Sequence, residues 1–248
     1  MATRTLYLVR HGLHQTQTML AEGPNAGLTL LGVEQALFTA QRFRALPITE
    51  IHYSPLQRAA ETADLIARAL PDVPLHKAQV LQECIPSIPP AYIGKMHYPQ
   101  ERLKQCRKQF QKAFDQFFKC ARGEDKHEVL VCHGNIIRYL VLKVLDVPTL
   151  AWNQMDMCNC AVSEVLITSD GGKMLITHND VRHLPPHLIT SLIGVRRADT
   201  FFQLAKQACQ RNDFIEAKEY AEVSLELYEI AQHENAEKVK AWLKNTCG

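Results

Sequence analysis

Leu8-Val9-Arg10-His11-Gly12 and, more than a hundred residues later, Val131-Cys132-His133-Gly134-Asn135 share one pattern: an apolar run that ends in a histidine followed by glycine. The segment Arg4 to Val9 reads as a short buried strand, and Glu128 to Cys132 as another. Both are followed by helical periodicity. Thr29 can cap a helix that Pro47 stops, and Ile136 to Leu145 forms a helix after the second histidine. Between them lie a strand at Glu50 to Tyr53 and a helix opened by Ser54-Pro55-Leu56-Gln57. There the serine is read as N-cap, the proline as first helical residue and the glutamine as capping-box partner.

Residues 100 to 121 resume a helical period. Ala161 to Thr168 and Lys173 to His178 alternate about the turn Ser169-Asp170-Gly171-Gly172. The resulting expectation is an α/β fold. It has a mostly parallel sheet with helices on both faces and an antiparallel edge, plus a C-terminal helical hairpin.

Composition fits that class. The chain has 248 residues, 46% apolar and 22% charged, with a formal net charge of +2. So small a charge gives no reason to expect nucleic acid or an acidic membrane as partner. Apolar runs such as Ile136-Ile137 are interrupted by Arg138 and Lys143, which excludes a membrane-spanning helix there. No signal peptide is recognised at the N-terminus, so the expected localisation is cytoplasmic. The eight cysteines show no zinc-type pairing, Cys158-Asn159-Cys160 being the one close pair. They are expected to be free thiols in a reducing compartment. No metal and no cofactor is called for.

The chemistry follows from where the histidines fall. In open α/β sheets, ligands bind beyond the carboxyl ends of the strands. His11 and His133 can therefore converge on one crevice, with Arg10 beside the first and Arg58 in the first turn of the Ser54 helix. Singly, each reads as an ordinary loop or surface residue. Together, two histidines and two arginines around one point repel one another unless an anion lies between them. Guanidinium forks suit phosphate oxygens, and glycine admits backbone N–H groups. The set therefore reads as a phosphate pocket.

These residues carry a resemblance. Leu8-Val9-Arg10-His11-Gly12 resembles the signature of the histidine phosphatase superfamily, with the phosphoglycerate-mutase-like fold. Leu28-Thr29 with Gly32 and Gln35-Ala36 follows in that family's order, then Ser54 to Ala63, Leu81-Gln82-Glu83 and Val131-Cys132-His133-Gly134. Within the superfamily the chain is more similar to the mitochondrial serine/threonine protein phosphatases of the phosphoglycerate mutase family. That likeness rests on Glu83 with the proline-rich Ile85 to Pro90, on Cys132 to Tyr139, on Trp152 to Asn159 and on Pro185-Pro186. The N-terminal membrane anchor of those proteins is not recognised here, so their mitochondrial address is not carried over.

The resemblance implies a metal-independent phosphomonoesterase working through phosphohistidine. It makes His11 the nucleophile, has Arg10, Arg58 and His133 hold the phosphoryl oxygens, and makes Glu83 the general acid and then base. Asp72 and Glu61 are weaker candidates for the last role, and Gly134 and Asn135 are expected to add phosphate contacts. Leu13-His14 stands where other branches carry Glu-Thr, and no long lid-building insertion is present, both of which disfavour a glycolytic mutase. His14 and Gln17 are expected to be solvated loop residues, the alternative for each being a place at the pocket rim. The leading expectation is a serine/threonine phosphoprotein substrate. A small phosphomonoester metabolite or phosphohistidine, and a phosphate-binding pseudoenzyme acting as an interaction module, stay open.

Residues 1–190 are read as the catalytic domain and 191–248 as a helical extension resembling one tetratricopeptide hairpin. Its favoured reading is an amphipathic hairpin packed on the catalytic domain. The other reading is a homodimer or protein-partner surface. Arg196-Arg197 is read as an ordinary helix-start charge pair.

Overall fold

Alternating apolar segments dictate a central sheet, and the computed structural model shows one of six strands. The structure describes residues 2–14, 26–88, 98–190, 194–230 and 234–246. Gln17 and Cys247 lie outside them, and so do the last prolines of the Ile85 to Pro90 loop and the side chains of Arg196-Arg197. In chain order come β1 (Arg4–Arg10), α1 (Leu30–Phe43), β2 (Glu50–Tyr53), α2 (Gln57–Arg68), β3 (Leu75–Lys77) and α3 (Gln100–Phe117). Then follow β4 (Lys126–Cys132), α4 (Gly134–Val144), β5 (Val162–Ile167) and β6 (Lys173–Asp180). The sheet order is β3-β2-β4-β1-β5-β6. The first four strands run parallel to one another, whereas β5 pairs antiparallel with β1, and β6 antiparallel with β5.

The central strands are buried on both faces, which explains their unbroken apolar runs. Tyr7, Val9, Val129, Val131 and Ile51 point to the side covered by Ala40 and Phe43 of α1 and Ala59, Ala63 and Ile66 of α2. Leu6, Leu8 and Leu130 alternate to the other side and are fully buried. There α4 packs on β1 and β6, and Phe117 of α3 meets His52 of β2 with ring centroids 4.9 Å apart. Each such aliphatic side chain contributes about 1.5–3 kcal/mol through its burial.

Thr29 caps α1 as its sequence suggests, its Oγ1 accepting from Gly32 N at 3.0 Å. Ser54 does not cap α2. That helix starts at Gln57, its N-cap residue Leu56 makes no side-chain cap bond, and Gln57 bonds Glu61 instead of reaching back. The Ser54 hydroxyl is drawn elsewhere, to His133.

The cysteine expectation needs correction. Cys84 and Cys106 form a disulfide with Cα atoms 5.6 Å apart. Sequence spacing did not suggest the pair because its two residues meet only when α3 folds against the segment after Glu83. Among the described residues Cys120, Cys132, Cys158, Cys160 and Cys209 lie outside that disulfide, and Cys132, Cys158 and Cys160 are buried. Burial pushes the Cys160 thiol up to about 12, and Cys132 well above its ordinary value.

The chain divides into two compact units, and among the described residues the second begins at Thr190. It holds α5 (Gly194–Gln210), α6 (Phe214–Ile230) and α7 (Asn235–Thr246), three helices where the sequence reading had a hairpin. Absence of glycine and proline from 198 to 242 suggested continuity. Yet α7 restarts at Asn235, whose side chain competes with helical hydrogen bonding. Alanines 198, 205, 208, 217 and 221 are all fully buried, so α5 and α6 can approach closely. Their turn is fixed by Asn212 at φ 62° and by Asp213 Oδ1, which accepts from Glu216 N at 3.1 Å. Among the described residues no helix is long and apolar enough to cross a membrane.

Candidate active site

The register between β1 and β4 builds the site. Arg10 pairs with Cys132, so the next residue on each parallel strand, His11 and His133, leaves the sheet at the same level. Their ring centroids are 5.1 Å apart. Both are buried, as are Arg10 at 4% exposure and Arg58 at 3%. Four groups capable of positive charge thus share one dry volume at the carboxyl ends of the central strands.

His11 is held in one tautomer. Its Nδ1 lies 2.8 Å from Gly12 O, which can only accept, so Nδ1 carries the proton. Nε2 then bears the lone pair, and it accepts from Arg58 Nε at 3.2 Å. Burial holds the imidazole well below its ordinary pKa, with His14, His133, Arg10 and Arg58 all adding to the effect. The ring is therefore neutral near pH 7.

The backbone around it is fixed as well. Asn159 Nδ2 donates to His11 O at 3.0 Å. Gly12 N donates to Thr62 Oγ1 at 3.0 Å, while that hydroxyl donates to Arg58 O at 2.7 Å. Leu13 N donates to Gln35 Oε1 at 2.8 Å. Gly12 and Gly32 permit the close crossing of this loop with α1: a Cβ on Gly32 would lie 2.0 Å from Leu13 O, and one on Gly12 2.5 Å from Gly32 O.

His133 is positioned from β2. Ser54 Oγ, immediately after that strand, lies 2.7 Å from His133 Nε2 and accepts from Leu56 N at 3.4 Å. The ring's Nδ1 is buried without a hydrogen-bond partner among the described residues. Burial, followed by Arg58, Arg10 and His14, keeps this imidazole neutral too. Arg10 is anchored by Nη1, which donates to Met157 O at 2.6 Å.

Glu83 reaches the same end of the sheet from a clasped segment. Its Oε1 accepts from Cys84 N at 2.9 Å and its Oε2 from Asn135 N at 3.4 Å, at the start of α4. Asn135 Nδ2 donates to Cys84 O at 3.3 Å. On the far side, Gln109 of α3 donates to Gln82 O at 2.8 Å and Arg107 to Pro86 O at 2.9 Å. Gly134 and Asn135 are the first two residues of α4, where backbone N–H groups are unpaired within the helix.

Asp72 and Glu61 are the weaker carboxylate candidates. Asp72 is exposed beyond α2, and Glu61 Oε2 accepts from Leu28 N at 2.6 Å. His14 departs from its reading as a solvated loop residue. Its ring lies edge-on to His11 with centroids 5.0 Å apart, because its bridge to Leu28 turns the loop inward. Ser54, Thr62 and Asn159 were not singled out as site residues. Thr62 stands four positions after Arg58, the spacing that lets a helical hydroxyl accept beside it. Asn159 offers no local signal at all. Among the described residues, Glu50, His52 and Glu128 alone have metal-like spacing. Lys126 already pairs with Glu50 at 3.2 Å and Arg4 with Glu128 at 3.0 Å.

The model of the histidine phosphatase superfamily (branch 1) matches residues 6–86 and 90–180. The mitochondrial serine/threonine-protein phosphatase PGAM5 of Mus musculus is 31% identical over 196 residues, covering 76% of this chain and 67% of that protein. Its Caenorhabditis elegans counterpart is 31% identical over 195 residues, with the same coverage. The chain thus spans about two thirds of the length of these relatives. Among solved structures, phosphoglycerate mutase from Plasmodium falciparum is 25% identical with a TM-score of 0.53, covering 75% of this chain and 96% of that one. Phosphoserine phosphatase from Entamoeba histolytica, 24% identical with a TM-score of 0.57 over 73% of this chain and all of that one, shares the fold.

The curated relatives are named mitochondrial, which overturns the expectation of a cytoplasmic protein. That expectation rested on no secretory signal peptide being recognised, a pattern that bears on secretion and not on a mitochondrial address. The sheet, the paired histidines and the matched segments make this chain a phosphatase that belongs to the histidine phosphatase superfamily.

Proposed function

We propose that the chain hydrolyses phosphoserine and phosphothreonine in proteins, without a metal, through a phosphohistidine at His11. The observation that carries the chemistry is the neutral His11 ring with its lone pair on Nε2. Nε2 attacks phosphorus and forms an N–P bond as the ester P–O bond breaks. Glu83 gives its proton to the departing seryl or threonyl oxygen. Water then attacks the phosphohistidine, Glu83 takes the water's proton, and the N–P bond breaks to release phosphate and neutral His11.

Arg10, Arg58 and His133 hold the non-bridging oxygens, aided by the Gly134 N–H, while the Asn135 N–H serves Glu83. Their field offsets the charge spread over those oxygens in the transition state. We assign this chemistry to residues 1–190 and read 191–248 as a helical extension. Exposed Phe214 and Ile215 at the start of α6 support a protein-partner role for it.

The protein substrate class is supported by the names of the curated relatives. Comparing kcat/KM for phosphoserine peptides with that for sugar phosphates tests it. Peptides are expected to be the better substrates, and sugar phosphates turned over as well or better would refute the assignment.

A further inference from the structure

Arg138 lies in α4 with 5% exposure, and its Nε is buried without a hydrogen-bond partner. Among the described residues no carboxylate forms an ion pair with it. Guanidinium groups stay charged in proteins, and a buried one is ordinarily paired, because an unpaired buried charge is costly. The phosphoryl chemistry does not use it.

Its surroundings give it a role. Arg138 is three residues beyond Asn135 and so shares its helix face one turn deeper. Asn135 is the residue whose N–H meets Glu83 Oε2 and whose amide holds Cys84 O. The carboxylates whose field reaches Arg138 are Glu83 and Asp156. From β6, His178 faces the same region, with Nδ1 at 3.0 Å from Ser163 Oγ and Nε2 at 3.2 Å from Asp156 O. The Cys132 thiol, on β4, is neutral. Arg138 is therefore a buried cation one turn along α4 from the Asn135–Glu83 contact, with no ion-pair partner among the described residues.

Resting on the reading of Glu83 as acid and base, the demand on that carboxyl is contradictory. It must be protonated when the ester breaks and ionised when water attacks, while a phosphoryl dianion nearby opposes ionisation throughout. We propose that Arg138 is a positioning residue, a buried positive charge behind the Asn135 contact that favours the carboxylate of Glu83 at the start of α4 and returns it to the ionised form between the two half-reactions. Asp156 takes up part of that charge, which keeps Glu83 able to be protonated.

The test is the pH dependence of kcat for the full chain with a phosphoserine peptide, whose alkoxide leaving group needs a proton, in wild type, Glu83→Gln, Arg138→Met and Arg138→Lys. Glu83→Gln should remove one limb of the profile. Arg138→Met should move that limb to higher pH by about one pH unit, and the activity changes near it by about tenfold with KM little altered. Arg138→Lys should leave the limb in place. If Arg138→Met does not fold, Arg138→Gln takes its place against Arg138→Lys. A limb that stays put when the charge is removed overturns the proposal, as does one that moves equally in the lysine variant. A rise in KM alone would make Arg138 a substrate contact and equally refute it. A profile unchanged in Glu83→Gln would refute the acid–base reading of Glu83 itself, which separates the two failures.

Discussion

Arg58 Nε donates to His11 Nε2, the nitrogen proposed as nucleophile, 3.2 Å away. One guanidinium thus caps that lone pair and, on the proposed reading, stands where incoming phosphoryl oxygens must pass. Planar, with several donors in a fixed fork, it can keep one N–H near His11 while others turn to oxygen.

Arg58→Ala is expected to lower kcat roughly 10²–10³-fold, the cost of one preorganised donor to a developing oxyanion. Arg58→Lys should recover only part of that, because an ammonium has no fork. Steady-state kinetics decide it, and a lysine variant with wild-type kcat would contradict the geometry.

The 2.7 Å contact between Ser54 Oγ and His133 Nε2 orients a fully buried ring. Ser54→Ala leaves Nε2 without its hydrogen-bond partner, at a cost of about 1–3 kcal/mol in stability. A lower melting temperature with kcat reduced more than KM is raised is the expected result, measured by thermal denaturation and kinetics on one preparation.

Three histidines tie stability to pH. His11 and His133 are held well below 6.5, chiefly by burial, and His183 down to about 4, by burial and then by Arg42. In the unfolded chain each takes up a proton near pH 6.5, so below that pH the unfolded state binds more protons. Their contribution is present in full above about pH 6.5 and is lost as pH falls toward 4. Melting temperatures should fall across that window, and His183→Gln should flatten the fall.

Gly32 carries the crossing that places Leu13 and, through it, His11. Gly32→Ala would put a Cβ 2.0 Å from a backbone oxygen, which no rotamer relieves. A loss of stability at the upper end of about 1–3 kcal/mol is expected, together with lower kcat from the displaced loop. Denaturant titration and kinetics on the variant check both.

Much of this fold was legible because the central strands announce themselves. Leu6 to Val9 and Val129 to Cys132 are buried on both faces, and a strand of that kind has to be apolar throughout. His11, His133, Arg10 and Arg58 were legible for a related reason: polar residues placed at strand ends or in a helix's first turn stand out from the apolar pattern before them. Ser54 was misread because a serine before proline satisfies local capping rules, whereas its partner lies 79 positions away. The Cys84–Cys106 bond and the approach of His14 to His11 also depend on long-range folding. Short strand β3, exposed at each of its three residues, has no apolar pattern to read.

The central claim is a phosphoryl group carried on His11. Rapid acid-free quenching during turnover of a phosphoserine peptide in excess EDTA, followed by mass mapping, tests it most directly. The account predicts an acid-labile, alkali-stable phosphoryl group on the peptide containing His11, absent in His11→Ala, which should also lose turnover. Turnover that persists in His11→Ala, or a phosphoryl group found on another residue, would contradict it.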